Sequence, residues 1–292
     1  MKLIPEWHEH KSCLAAWPCN KELYGEIMNQ AKKEMLNVMH EIAKTENVIL
    51  LCNKIDLIEV KKNIKSQNIK ILECKLDDSW MRDIAPIFFK ENNQLKSINF
   101  IFNGYGKYPN FNNDNKVANF ISNYLNLSTK SSQIVLEGGA ITYDDIGNLF
   151  TTRNVIFNKN RNQTLSDEKI INELILLFGL KNIFLFDNGL VGDDTDGHVD
   201  NLLCPIGNNH YLISTTHSLN PNNEILKKNK KNLISFFHKN NQEFELIEVP
   251  LPTEKKINGK NIVGSYINFY FTKNKIILPK FNVKEDYEVE NI

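Results

Sequence analysis

The ten residues Gly192-Asp193-Asp194-Thr195-Asp196-Gly197-His198-Val199-Asp200-Asn201 hold four carboxylates and one imidazole, straight after the apolar run 183–186. A strand, a polar loop with Gly192 and Gly197, then the start of a second strand is the order this pattern predicts. His198 and Asp200 stand two apart, so on a strand they share a face. An imidazole beside a carboxylate on one wall of a cleft can move protons and hold a cation. Taken alone, the stretch reads equally well as a solvated acidic turn with an incidental histidine.

Working outward, an apolar series four residues apart (Leu23, Ile27, Ala31, Met35, Met39) predicts an amphipathic helix after an extended, irregular stretch over 3–20. Buried strands follow at 48–52 and 69–73, around a short helix over 56–66 with Asp56 as its cap. That begins a β/α rhythm. Further strands are expected at 87–89, 98–102 and 134–136, with a helix over 116–125 before the last. Residues 141–150 read as a hairpin turning near 144–148, and a helix over Asp167–Phe178 leads back to the opening motif. Beyond it come a strand at 211–214, a helix over Asn223–Lys239, and strands at 244–249, 265–271 and 275–278. No composition shift or Pro/Gly/Ser linker divides the chain, so a single domain over 1–292 is expected.

The polar motifs recur. Asp83, Glu137, His198 and Asn268 follow one another at intervals of 54, 61 and 70 residues, each on a strand edge or the turn beside it. A repeating α/β unit of about 60 residues, each giving one polar group to a shared centre, produces such spacing. Units set radially, as blades are in a propeller, would bring the groups together around an axis. The next contribution at that interval would fall past Ile292.

Asp83 and Asp200, if they face one another, form a two-carboxylate clamp. Such carboxylates repel until a cation lies between them, and a guanidinium fits best, because its planar N–H donors bind a carboxylate bidentately. Trp80, three residues before Asp83, offers an aromatic face to a cation or an alkyl chain. Glu137 is followed by Gly138 and Gly139, which let the backbone approach a ligand closely. A metal site through His198, Asp200 and Glu137 is the weaker alternative, since no second histidine lies at ligand spacing and the EF-hand pattern fails after Asp196.

Bulk properties narrow the class. Lys plus Arg and Asp plus Glu are 35 each, so no global field favours nucleic acid or an anionic membrane. The start lacks the apolar core of a signal peptide, no run approaches the ~18 apolar residues of a membrane span, and a cytoplasmic protein is expected. The five cysteines (Cys13, Cys19, Cys52, Cys74, Cys204) show no CxxC spacing, which argues against a disulfide framework or structural zinc.

The chain resembles the agmatine deiminase family, close to bacterial peptidyl-arginine deiminases among the guanidino-modifying enzymes. The resemblance is carried by Glu6-Trp7-His8-Glu9-His10, Ala16-Trp17-Pro18, residues 78–86, Glu137-Gly138-Gly139, Arg161-Asn162, residues 192–201 and Ser265-Tyr266-Ile267-Asn268-Phe269-Tyr270, in the family's order over nearly the whole chain. It implies a five-bladed α/β propeller (pentein) of ββαβ units, with the last blade incomplete here. It further implies hydrolysis of agmatine to N-carbamoylputrescine and ammonia, in putrescine biosynthesis, without metal or organic cofactor. By position, Asp83 and Asp200 would hold the guanidinium, with Trp80 and Asn268 shaping the pocket. Glu137 and His198 would orient the substrate and move protons. The family's nucleophilic cysteine lies near the C-terminus in a Gly-Gly-Gly-Asn-x-His-Cys segment, which does not occur before Ile292. Cys204 stands four residues past Asp200, ~13 Å along an extended strand, and reads as core. The chain is therefore expected to be a truncation whose cysteine lies beyond residue 292. The alternative is a homologue that binds guanidinium or polyamine without catalysis. Free-arginine enzymes carry a helical insertion for which this chain is too short, which favours agmatine. Oligomeric state, a homo-oligomer included, is not written in the sequence.

Overall fold

The structure, a computed structural model, describes residues 2–257 and 260–292. Its first sheet is built on Asn47–Cys52, a strand apolar from Val48 onward and buried along that length. Ser12–Ala16 and Ile69–Glu73 flank it, both parallel to it. A parallel strand covered on both faces needs no polar alternation, which is why its sequence is one continuous apolar run. Met35, Leu36, Met39 and Ile42, on the helix Met28–Ile42, pack on one face. The other face, through Ala16, Ile49 and Leu51, meets Val117 and Ile121 of the next unit.

Three further units repeat one plan: a hairpin, a crossover helix, then a strand parallel to the hairpin's second strand. The second unit pairs Ile87–Glu91 with Gln94–Ile101, crosses over through Val117–Tyr124, and returns as Thr129–Val135. In the third, Ile141–Tyr143 and Asn148–Thr152 form the hairpin, and Asp167–Phe178 carries the chain to Asn182–Phe186. In the fourth, Leu203–Gly207 and His210–Thr215 are followed by Asn223–Lys239 and Glu245–Pro250. Between Glu245–Pro250 and the short C-terminal helix Glu285–Val289 the described residues form two small antiparallel pairs, Lys255–Ile257 with Lys260–Ile262 and Tyr270–Phe271 with Ile276–Ile277.

Successive units share cores. Phe89 and Ile134 of the second pack with Ile141 and Leu149 of the third. Phe150 and Phe186 of the third pack with Tyr211 and Phe237 of the fourth. Val249 and Cys204 of the fourth pack with Tyr266 and Ile267. Tyr270 and Ile277 then pack on the core of the first sheet, so the sequence of cores returns to its start. The buried carboxylate of Glu46 fastens that return: it accepts hydrogen bonds from the Lys273 amide (2.6 Å) and the Tyr270 hydroxyl (3.3 Å), with His10 Nδ1 at 3.5 Å. Among the described residues no helix is long and apolar enough to cross a membrane.

Several expected elements differ. Residues 3–20 are not wholly irregular, since Ser12–Ala16 is an edge strand of the first sheet. Leu203–Gly207 is the second strand expected after the loop, and its Pro205 sits on the outer strand of the sheet, where a missing donor is tolerated. The expected strand over 265–271 is a turn as far as Phe269, and only Tyr270–Phe271 pair. Asp56 makes no side-chain cap to the helix Leu57–Asn63; its carboxylate lies 3.5 Å from Lys32 Nζ instead.

Candidate active site

Each hairpin is preceded by a turn that carries a carboxylate. Asp83 stands four residues before Ile87, Glu137 four before Ile141, and Asp200 three before Leu203. Because the units repeat, these turns lie at equivalent ends of adjacent sheets, and three acids distant in sequence converge.

Asp83 arrives on the short helix Met81–Ile84, just after Trp80, whose carbonyl accepts from the amides of Asp83 and Ile84. Its Oδ1 accepts from the Gly139 amide (2.9 Å) and its Oδ2 from the Tyr105 hydroxyl (2.8 Å). The Glu-Gly-Gly turn presses against this helix backbone to backbone: a Cβ at Gly138 would stand 2.1 Å from the Arg82 carbonyl. A Cβ at Gly139 would meet His198 Nδ1 at 2.5 Å, Asp200 Oδ2 at 2.6 Å and Asp83 Oδ1 at 2.7 Å. Three ionisable groups thus converge on one point that only glycine leaves open.

Glu137 is buried and accepts both of its hydrogen bonds from Arg161 Nε, at 2.8 and 3.1 Å. The guanidinium of Arg161, itself without solvent exposure, also donates to Asp196 Oδ2 (2.7 Å) and the Thr195 carbonyl (2.9 Å). Burial would raise the Glu137 carboxyl, but His198 and Arg161 outweigh it and hold it below the usual carboxylate range.

His198 and Asp200 do not lie on a strand. His198 caps a single 3-10 turn, Val199–Asn201, after a loop in which Asp196 (φ +68°) and Gly197 (φ +107°) are left-handed. Gly197 is pressed against Gly189, where a Cβ would fall 2.1 Å from the Gly197 Cα. Asp193 organises the loop from within, accepting from the Thr195 amide and hydroxyl (2.9 and 2.6 Å) and the His198 amide (3.1 Å). The two side chains still come together, through a turn and not through strand alternation.

The His198 ring stands between carboxylates, Nδ1 at 3.7 Å from Asp83 Oδ1 and Nε2 at 3.7 Å from Glu137 Oε2. These are ion-pair distances, longer than hydrogen bonds. His198 Nε2 and Asp200 Oδ1 are buried and have no hydrogen-bond partner within the described protein. Burial alone would lower the imidazole, but Asp83, Glu137 and Asp200 around it raise it to about 9. Burial pushes the Asp200 carboxyl up to about 7, aided by Asp83 and Asp193 and opposed by His198 and Arg82. At neutral pH the site therefore combines a charged imidazole with a half-protonated acid, an arrangement that an added cation would convert to a fully ionised one.

Trp80 is 47% exposed beside the Asp83 helix. Asn268 is exposed in the turn before Tyr270, and no hydrogen bond or ion pair joins it to the four converging groups. The expected strand over this stretch is a turn here, and Asn268 sits in it. Arg82 pairs with Glu6 and not with Asp83. Tyr105, Arg161 and Asp196 belong to the site and escaped the sequence reading as functional groups; for Arg161 the only signal was its place in the Arg161-Asn162 match. None of the five cysteines is poised as a thiolate: burial pushes Cys13, Cys52 and Cys74 up to about 11, Cys19 to about 12, and Cys204 higher still. A polar cleft of about 410 Å³, lined by Arg153, Phe157 and Leu190, touches the loop through Asp193 and Asp196 but contains none of the four groups.

The family model for Porphyromonas-type peptidyl-arginine deiminases matches residues 2–292. The chain belongs to that family. Among relatives of this deiminase-family chain, a Legionella pneumophila protein provisionally named agmatine deiminase is 34% identical over 280 residues, covering 94% of this chain and 80% of its own length. A cysteine-to-serine variant of the C. jejuni agmatine deiminase, solved with substrate bound, superposes with a TM-score of 0.90 at 28% identity, covering 99% of this chain and 86% of that one. The DDAH of Pseudomonas aeruginosa, at 11% identity and a TM-score of 0.52 over 97% of this chain and 89% of its own, shares the fold alone. The fold is thus the α/β pentein of these deiminases, the class that the family resemblance implied.

Proposed function

We propose that this protein is an agmatine deiminase, converting agmatine to N-carbamoylputrescine and ammonia. The observation that carries this reading is the convergence of Asp83, His198 and Asp200 on Gly139, with a buried Asp200 oxygen left free. Two carboxylates facing one point suit a planar guanidinium, which supplies several N–H donors and the positive charge they lack. The names of the relatives support the same substrate.

In this reading Asp83 and Asp200 hold the guanidinium edges, and the charge of the substrate drives the remaining proton off Asp200. Glu137, fixed by Arg161, orients His198. A thiolate adds to the guanidinium carbon, and the C–N bond then breaks as the His198 imidazolium protonates the departing ammonia, leaving an amidino-thioether. Neutral His198 next takes a proton from water as its oxygen adds to the same carbon. Loss of the thiolate, with the remaining hydroxyl proton passing to solvent, releases the neutral ureido product. None of the five cysteines described above is poised to supply that sulfur, since burial holds each as the thiol. Trp80 would cover the alkyl chain at the mouth of the site. The continuous series of shared cores supports reading the chain as one domain, and biosynthesis of putrescine in the cytoplasm is the setting that suits the reaction.

Titration calorimetry with agmatine and with putrescine tests the reading. Agmatine should bind, and putrescine, which has two amines and no guanidinium, should not. Equal affinity for the two, or none for agmatine, would remove it. Turnover is read as release of ammonia and N-carbamoylputrescine from agmatine.

A further inference from the structure

If Asp83 is one half of a guanidinium clamp, as the proposed function holds, the two bonds it already makes acquire a purpose. A carboxylate offers about four acceptor positions, two on each oxygen. The Gly139 amide takes one on Oδ1 and the Tyr105 hydroxyl takes one on Oδ2. One position remains on each oxygen, the pair that an edge of a guanidinium uses.

The backbone at Tyr105 is unusual. Its φ of 60° and ψ of 17° are left-handed, and it sits between Gly104 (φ +65°) and Gly106 (φ +69°), which are left-handed too. For a bulky aromatic residue this is an outlier, whereas glycine would adopt it without steric cost. The surroundings hold it there. Asn103 Oδ1 accepts from the Gly106 amide (2.8 Å), Asn103 Nδ2 donates to the Asn160 carbonyl (2.9 Å), and Asn160 Nδ2 donates to the Tyr105 carbonyl (3.2 Å). The Tyr105 ring packs edge-on against Phe102, with centroids 5.2 Å apart, and lies 5.9 Å from the His198 ring. The loop is thus braced against the Lys159–Asn162 turn that carries Arg161, and its side chain ends on Asp83. Strain that persists under such bracing points from the outlier to a role for the side chain.

We propose that Tyr105 is a positioning residue for the clamp: its hydroxyl fixes the rotation of the Asp83 carboxylate, leaving one acceptor position on each oxygen for a guanidinium.

Tyr105→Phe keeps the ring and removes the hydroxyl. Two measurements separate this proposal from the choice of substrate. In ligand-free protein, thermal melting of Tyr105→Phe, Asp83→Ala and the double variant forms a cycle. Tyr105→Phe should lower the melting temperature in the parent and have almost no further effect in Asp83→Ala, because the hydroxyl acts through that carboxylate. In agmatine calorimetry, Tyr105→Phe should weaken binding by about tenfold at pH 7. Additive melting, or an agmatine affinity unchanged in Tyr105→Phe, overturns the proposal. A parent that ignores agmatine while the melting cycle is non-additive sinks the agmatine reading and leaves the positioning role standing.

Discussion

His198 and Asp200 are both held more protonated by the fold than they would be in an unfolded chain. For Asp200 the folded value is about 7 against an ordinary 3.8, and for His198 about 9 against 6.5. A group raised in this way stabilises the fold fully below its unfolded value and loses that contribution as pH rises through its folded one. The two together remove stability between about pH 4 and pH 9; buried Asp114, raised to about 7 by its own burial, adds to the lower part of that window. Ligand-free melting temperature should therefore fall from pH 5 to pH 9, and Asp200→Asn should flatten the part below pH 7. A bound guanidinium favours the ionised form of Asp200, so agmatine should release protons on binding near pH 7. Calorimetry in two buffers of different ionisation enthalpy would detect that release, and identical apparent enthalpies would contradict it. Asp83→Ala or Asp200→Ala should abolish agmatine binding; retained affinity in either removes that residue from the clamp. Glu137, His198 and Asp200 were legible because each stands in a polar turn with a glycine within three residues, and Asp83 because it follows an exposed Trp80 just before an apolar strand. Arg161 and Tyr105 were not, because their partners Glu137 and Asp83 lie 24 and 22 residues away and only the topology joins them.

The Glu-Gly-Gly turn and the loop over 192–201 are the elements on which the site depends. Gly139→Ala adds a methyl group to a point already surrounded by three side chains at 2.5–2.7 Å. Accommodating it moves His198, Asp200 or Asp83, so agmatine binding should be lost while the circular dichroism of the fold persists. Undiminished affinity in Gly139→Ala would mean that the three groups do not share that point. Arg161→Ala leaves Glu137 buried without its cation, at a cost of about 3–5 kcal/mol. Denaturant unfolding measures it, and a loss below about 1 kcal/mol would show that Glu137 finds another partner. Elements were most legible where caps bracket them. The helix Asp167–Phe178 has the bounds expected, with Ser166 accepting from the Lys169 amide and Gly179 left-handed at its end. Ser12–Ala16 escaped because two alanines and a cysteine carry little apolar periodicity. The 265–271 stretch misled in the opposite way: its aromatic and β-branched residues fill a core from a turn, with Tyr266 and Ile267 buried beside Val249.

The whole molecule is held by the order in which its cores follow one another. The repetition of α/β units was legible from the recurring interval of polar turns. The fastening of the last strands to the first sheet was not, since it rests on a buried Glu46 that has no motif around it. Glu46→Ala should cost about 1–3 kcal/mol, and hydrogen–deuterium exchange should quicken first at residues 270–277. Uniform exchange in that variant would show that the apolar contacts of Tyr270 and Ile277 suffice.

The Glu46–Lys273 bond joins residues 227 apart in sequence. A ribosome adding about 5–20 residues per second makes the first sheet on the order of ten to fifty seconds before the amide that satisfies Glu46 exists. During that interval the nascent chain carries a carboxylate built for burial and an apolar surface with nothing on it. Birth of this protein is therefore its most vulnerable moment, and the chaperones that attend translation, more than any property of the finished ring, would set how much of it a cell obtains.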